Sequence, residues 1–128
     1  MFKIFTTLLF VIIFFSSCAI KKAINSSSAT ILIKTPTMKF YDKGFISKYE
    51  NYTQIQIYSA GKTVLDLKLY ENRVCKSTFE CEDAKNFNKK YLHSSYKGNF
   101  LKSIFDEDKK ESVFRDTKNK ILIKIKRD

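Results

Sequence analysis

The sequence predicts an α+β fold, an antiparallel β-sheet of hairpins or meander with two short helices packed on one face. Two observations carry this. Apolar residues alternate with polar ones between Thr30 and Tyr70 and again between Ser112 and Lys126, the pattern of half-buried strands. After Cys81 the spacing changes to threes and fours, which is helical.

The elements follow in order. "TILIKT" puts Ile31 and Ile33 on one face, and Pro36 belongs at a strand end because it cannot donate to a ladder. "MKFY" and "GFISKY", on either side of Asp42-Lys43-Gly44, suggest a hairpin that turns there. "YTQIQIYS" sets Ile55 and Ile57 against Gln54 and Gln56. "TVLDLKLY" sets Leu65, Leu67 and Leu69 against Asp66 and Lys68. Gly61, in the "SAGK" between them, can supply a positive φ, so residues 52–70 read as a hairpin. Glu82 and Asp83 suit a first helical turn, where the macrodipole favours negative charge, and Ala84, Phe87 and Tyr91 form one stripe. Gly98 is placed to cap that helix, and Asn99 to start a second one with Phe100, Leu101, Ile104 and Phe105 on one face. "SVFRD", a turn "TKNK" and "ILIKIK" return the chain to β structure, and no internal repeat is seen.

The N-terminus has a different grammar. One basic residue, Lys3, precedes an uncharged run from Ile4 to Ile20 that ends in small residues, which is the order of a secretion signal. "FSSC", Phe15 to Cys18, resembles the lipobox of bacterial lipoproteins, although Phe15 stands where leucine is usual. That resemblance implies cleavage before Cys18 by signal peptidase II and a diacylglycerol (commonly with palmitate) on its sulfur. The expected organisation is residues 1–17 as signal peptide, 18–29 as lipidated cysteine and Ser-rich tether, and 30–128 as one small domain. An uncleaved signal anchor is the competing arrangement; a buried helix would need a polar face that Ile4 to Phe15 does not offer. Ala19 replaces the aspartate that retains many Gram-negative lipoproteins at the inner membrane. The expected location is therefore the cell envelope, at the outer membrane facing periplasm or surface.

Charge bounds the partners. One of the 24 basic residues, Lys3, lies in the leader, so the remainder carries 23 basic against 13 acidic residues, a formal +10. An exported chain meets no nucleic acid. The expected counter-charges are anionic lipid, lipopolysaccharide or an acidic envelope protein, beside the membrane itself. Lysine outnumbers arginine 21 to 3 and Trp is absent, a bias that an AT-rich coding sequence would also produce.

With Cys18 lipidated, Cys75 and Cys81 remain, and an even pair in an oxidising compartment reads as a disulfide. Free thiols are the other reading. A zinc site would want more ligands than these two and the single His93 supply, and a redox pair would be more closely spaced. No enzyme activity, cofactor or metal is expected. His93 sits beside Ser94 and Ser95 with no third group to orient it, "DEDKKE" (106–111) reads as a solvated turn, and Gly44, Gly61 and Gly98 make no phosphate loop.

Binding functions remain: an accessory role in the envelope, or an inhibitor or immunity lipoprotein that blocks an attacking protein. A lipid- or lipoprotein-carrying half-barrel is a third form, on architectural likeness to the outer-membrane receptor of lipoprotein sorting. The last strand offers a surface. Ile121, Ile123 and Ile125 should point inward, and Lys120, Leu122, Lys124 and Lys126 outward. The lysines of Lys120, Lys124 and Lys126 then either protect the sheet from aggregation or dock on an anionic surface.

Overall fold

The computed structural model describes residues 22–77 and 79–128; the expected signal segment, Cys18 and the first part of the expected tether lie outside the described residues. Alternation of the kind read in the sequence builds the first strand, β1 (Asn25–Lys34), in which Ala29, Ile31 and Ile33 are buried. It begins five residues before Thr30, inside the segment 18–29, because Asn25 to Ser28 pair through their backbones with Phe45 to Lys48. Thr35 Oγ1 accepts from the Thr37 and Met38 amides, which closes a turn around Pro36 and fixes the first hairpin there.

β2 (Lys39–Lys48) corrects the expectation of a turn at Asp42-Lys43-Gly44, since it runs straight through those residues. Gly44 is a mid-strand residue whose missing side chain lets the β2 backbone lie against Gln56. The chain turns instead at Tyr49–Tyr52, where the two rings stack with centroids 4.6 Å apart. β3 (Thr53–Ser59) and β4 (Lys62–Leu69) form the expected hairpin, with Ile55, Ile57, Leu67 and Leu69 buried. Ala60 as well as Gly61 has a positive φ, the backbone of a two-residue hairpin turn.

Two strands of three residues follow, β5 (Arg73–Cys75) and β6 (Cys81–Asp83). They set Cys75 directly opposite Cys81, with the sulfurs at bonding distance. The disulfide therefore clamps the outermost pair of strands at the point where the chain leaves for the helices. A short loop gains little chain entropy on closure, so reduction should cost at most about 3 kcal/mol. Mass analysis of the protein purified without reductant should show alkylation of Cys75 and Cys81 only after reduction; their alkylation without it would remove the bridge from the native protein.

α1 (Ala84–Tyr91) starts at Asp83, whose carboxylate accepts from the Lys85 amide at 2.9 Å. Glu82 stays in β6 and pairs with Lys90 at 2.8 Å. The helix ends at Leu92, well before Gly98, so Gly98 is not its cap. α2 (Phe100–Asp106) begins after Asn99, but the Asn99 amide is turned to Glu71 and does not cap the helix. Its last residue, Asp106, accepts from Thr53 Oγ1 and, at 2.6 Å, from Lys102 Nζ, which ties the helix end to β3. Ala84 and Phe87 of α1 and Leu101, Ile104 and Phe105 of α2 belong to the same buried cluster as the sheet's isoleucines and leucines.

β7 (Glu111–Asp116) and β8 (Ile121–Arg127) complete one antiparallel sheet in the order β6-β5-β4-β3-β2-β1-β8-β7. The first six strands are a meander, and the chain then returns to the free side of β1, where Ile31 faces Ile125 and Ile33 faces Ile123. Among the described residues the buried cluster runs from Ala29 to Ile125 and draws on both helices and on every strand except β6 and β7.

Candidate functional site

Directly opposed residues in an antiparallel sheet point to the same side, so the register assembles each face strand by strand. The buried face takes Ile31 and Ile33, Ile55 and Ile57, Leu67 and Leu69, and Ile121, Ile123 and Ile125. Three rows cross β2, β1, β8 and β7 on the opposite, open face. The middle row is Tyr41, Leu32, Lys124 and Val113. On one side of it lie Lys39, Lys34, Leu122 and Arg115, and on the other Lys43, Thr30, Lys126 and Glu111. With strands about 4.8 Å apart and same-face residues about 6.8 Å apart, the plate measures about 14 by 14 Å.

Six cations stand on this plate, and five of them (Lys34, Lys39, Arg115, Lys124 and Lys126) form no ion pair among the described residues. The sixth, Lys43, meets Asp128 at 2.7 Å, and Ser28 Oγ donates to the same carboxylate. These contacts hold the Asp128 carboxyl below the usual carboxylate range, the Lys43 hydrogen bond first and the Ser28 one second. Apolar groups sit among the charges: Tyr41 is 67% exposed and Val113 54%. A shallow groove of about 430 Å³ runs between Leu32, Tyr41, Lys124 and Lys126.

Of the three lysines singled out in the sequence, Lys124 and Lys126 are exposed members of the plate. Lys120 is not. It closes the β7–β8 turn with φ 58°, before β8 begins, and so leaves the alternation that placed it in the row. Sequence reasoning missed Lys34, Lys39, Lys43, Arg115 and Tyr41. Each alternates outward on its own strand, but only the register shows that they share a patch.

The other candidates are engaged locally. His93 Nδ1 accepts from the Ser95 amide and lies 2.7 Å from Ser95 Oγ, closing a turn just after α1. In the acidic segment, Asp106 is held by Lys102 and Thr53, and Glu107 lies 3.7 Å from Lys109. Among the described residues no three His, Cys, Asp or Glu side chains gather as metal ligands, and no helix is long and apolar enough to cross a membrane.

Behind the plate, Tyr96 fixes the β7–β8 hairpin by donating its hydroxyl to Asp116 Oδ2, with its ring stacked on Phe100 at 4.2 Å. Burial first, then the hydrogen bond to Asp116, pushes the Tyr96 phenol up to about 12; the same bond draws the Asp116 carboxyl down. The Tyr96 contribution to stability is thus full below the ordinary phenol value of about 10 and is lost as pH rises through the raised one. The Asp116 contribution runs the other way: it is full above the ordinary carboxylate value and is lost as pH falls through the lowered one. In an alkaline ultraviolet titration Tyr96 should ionise later than most of the other tyrosines, and Asp116→Asn should bring it down. An unchanged titration would remove the coupling.

The chain matches no protein-family model, no curated protein and no solved structure.

Proposed function

We propose that this chain is a small, non-enzymatic, lipid-anchored protein of the cell envelope, and that its basic plate seats the domain on an anionic phosphate-bearing surface. The observation that supports the reading is the plate itself: five cations with no ion-pair partner among the described residues, from four strands, interleaved with exposed Tyr41 and Val113. A tether from Cys18 to Asn25 spans at most about 25 Å when fully extended. A domain held that close to a bilayer needs little further attraction to choose an orientation. Each lysine near an anionic surface adds about 1 kcal/mol, and the Debye length of about 8 Å confines the effect to groups that touch it. Tyrosine suits such a boundary, because its ring favours the apolar side and its hydroxyl the wet side.

In this reading both helices cover the buried face and leave the plate open. Phe87 and Phe105, buried to within 2% in that core, occupy space that a lipid-carrying half-barrel would need for its cargo. An inhibitor that acts on basic enzymes would meet repulsion from the same plate.

The test is sedimentation of residues 22–128 with phosphatidylglycerol vesicles. Changing Lys34, Lys124 and Lys126 together to Gln should weaken binding at least tenfold, and added salt should weaken the wild type. The same charge change at Lys85, Lys89 and Lys97, exposed around and beyond α1, should leave binding nearly intact. Equal losses in the two triple variants would show that net charge alone acts, and the plate would lose its role.

A further inference from the structure

The two ends of the sheet are unlike. β6 has three residues and is disulfide-linked to its neighbour, so it offers little to a new strand. β7 has six residues, and the phase of its ladder is fixed by the Arg127 amide, which donates to the Lys110 carbonyl at 2.8 Å. Hydrogen-bonded and non-hydrogen-bonded pairs alternate, so the backbones of Ser112, Phe114 and Asp116 face β8. Those of Glu111, Val113 and Arg115 face outward, and none of their amides or carbonyls bonds to another described residue. The strand is therefore a free edge with Glu111, Val113 and Arg115 all exposed.

We propose that β7 pairs antiparallel with β7 of a second copy about a two-fold axis at Val113. In that register Val113 meets Val113, and Glu111 meets Arg115 twice, once on each side of the axis. Continuous sheet faces require opposed residues of the same parity, which this register satisfies. Moving the register by two residues in either direction, the smallest shift that keeps the parity, places Glu111 or Arg115 opposite valine and forfeits both ion pairs. The outward backbone groups match as well, since the three opposed pairs are those whose amides and carbonyls are free. The contact is isologous, as a closed dimer requires. It also lays the two open faces edge to edge, so that one dimer would present two plates to the same surface.

The pairing does not depend on lipid binding and is tested without vesicles. Opposed residues in a hydrogen-bonded pair have Cα atoms about 5.5 Å apart, within the range a disulfide spans. In the purified full chain under mild oxidation, Val113→Cys should give a covalent dimer at least fivefold more abundant than Thr117→Cys, placed in the adjacent turn, with wild type as the blank. Arg115→Glu in the Val113→Cys background should cut that yield at least fivefold, because Glu111 would then face glutamate. Adding Glu111→Arg reverses both charges and should restore it, which a merely misfolded variant would not do. Equal cross-linking at positions 113 and 117, or failure of the double reversal to recover the dimer, would overturn the proposal.

Discussion

If Cys18 carries the proposed lipid, Cys18→Ala should move the protein from the membrane pellet of a fractionated cell to the soluble extract and abolish its labelling by a fatty-acid analogue. A single acyl chain holds a protein only marginally, with a partition constant of about 10⁴ M⁻¹, whereas two chains on one residue multiply that into an effectively permanent anchor. The sulfur of Cys18 is where such chains would attach, so its removal takes away the whole term at once. The plate's few kcal/mol, screened by salt, would not hold the protein through a high-salt wash. An uncleaved signal anchor predicts the opposite result, because the apolar segment from Ile4 to Phe15 would stay in the bilayer whatever stands at position 18. Retention of Cys18→Ala in the pellet would therefore replace lipidation with a membrane-inserted leader.

Gly44→Ala should be among the most damaging single-methyl changes in the domain. A Cβ at that position would fall inside contact distance of the Gln56 carbonyl oxygen, a ladder group that cannot swing aside, and 3.1 Å from Ile31 Cδ1. The β2–β3 ladder must then open or shift against a buried isoleucine that is fully packed. Overpacking against backbone costs about 3 kcal/mol. For a domain of this size that corresponds to a fall in melting temperature of roughly 12–24 °C. Thermal unfolding of the variant and of Gly61→Ala would be compared. A Cβ at Gly61 meets nothing within 4 Å, and its strain comes only from the positive φ, so its loss should be much smaller. Equal melting temperatures for Gly44→Ala and wild type would mean that β2 and β3 do not approach as closely as described.

Those two glycines show what the sequence could and could not display. Gly61 lies between two runs of strict alternation, so its role as a turn residue follows from local pattern alone, and the β3–β4 hairpin was legible for that reason. Gly44 sits beside Asp42 and Lys43 in a stretch with the same turn chemistry, yet what selects glycine there is the backbone of another strand. No local pattern carries that information. Asn25 to Ser28 were legible only as a polar tether, because what makes them a strand is their pairing with β2. β5 and β6 are too short to alternate, although the two cysteines marked the place where they would meet.

The basic plate failed to appear in the sequence for a related reason. Alternation shows which side of a strand a residue takes, but not which residues on other strands will stand beside it. Lys124 and Lys126 were visible as one row on one strand. Lys34, Lys39, Lys43 and Arg115 join them only through the register, and Lys120 drops out because its left-handed backbone belongs to the turn.

The place of β8 bears on how the protein reaches its fold. β1 is an interior strand whose second neighbour lies far along the chain: Ile31 is opposite Ile125, 94 residues later. Pairings of such long separation are slow to form, because the intervening chain must be closed into a loop before any contact compensates it. A chain threading outward from its N-terminus would expose the free side of β1 until Ile121 to Arg127 had emerged. The last strand to arrive would then insert between β1 and β7, one place in from the edge of the sheet. The arrangement leaves β1 with one unpaired side for as long as the end of the chain is absent. It also makes the interval before β8 docks the period in which an unpaired β1 is most exposed to the wrong partner.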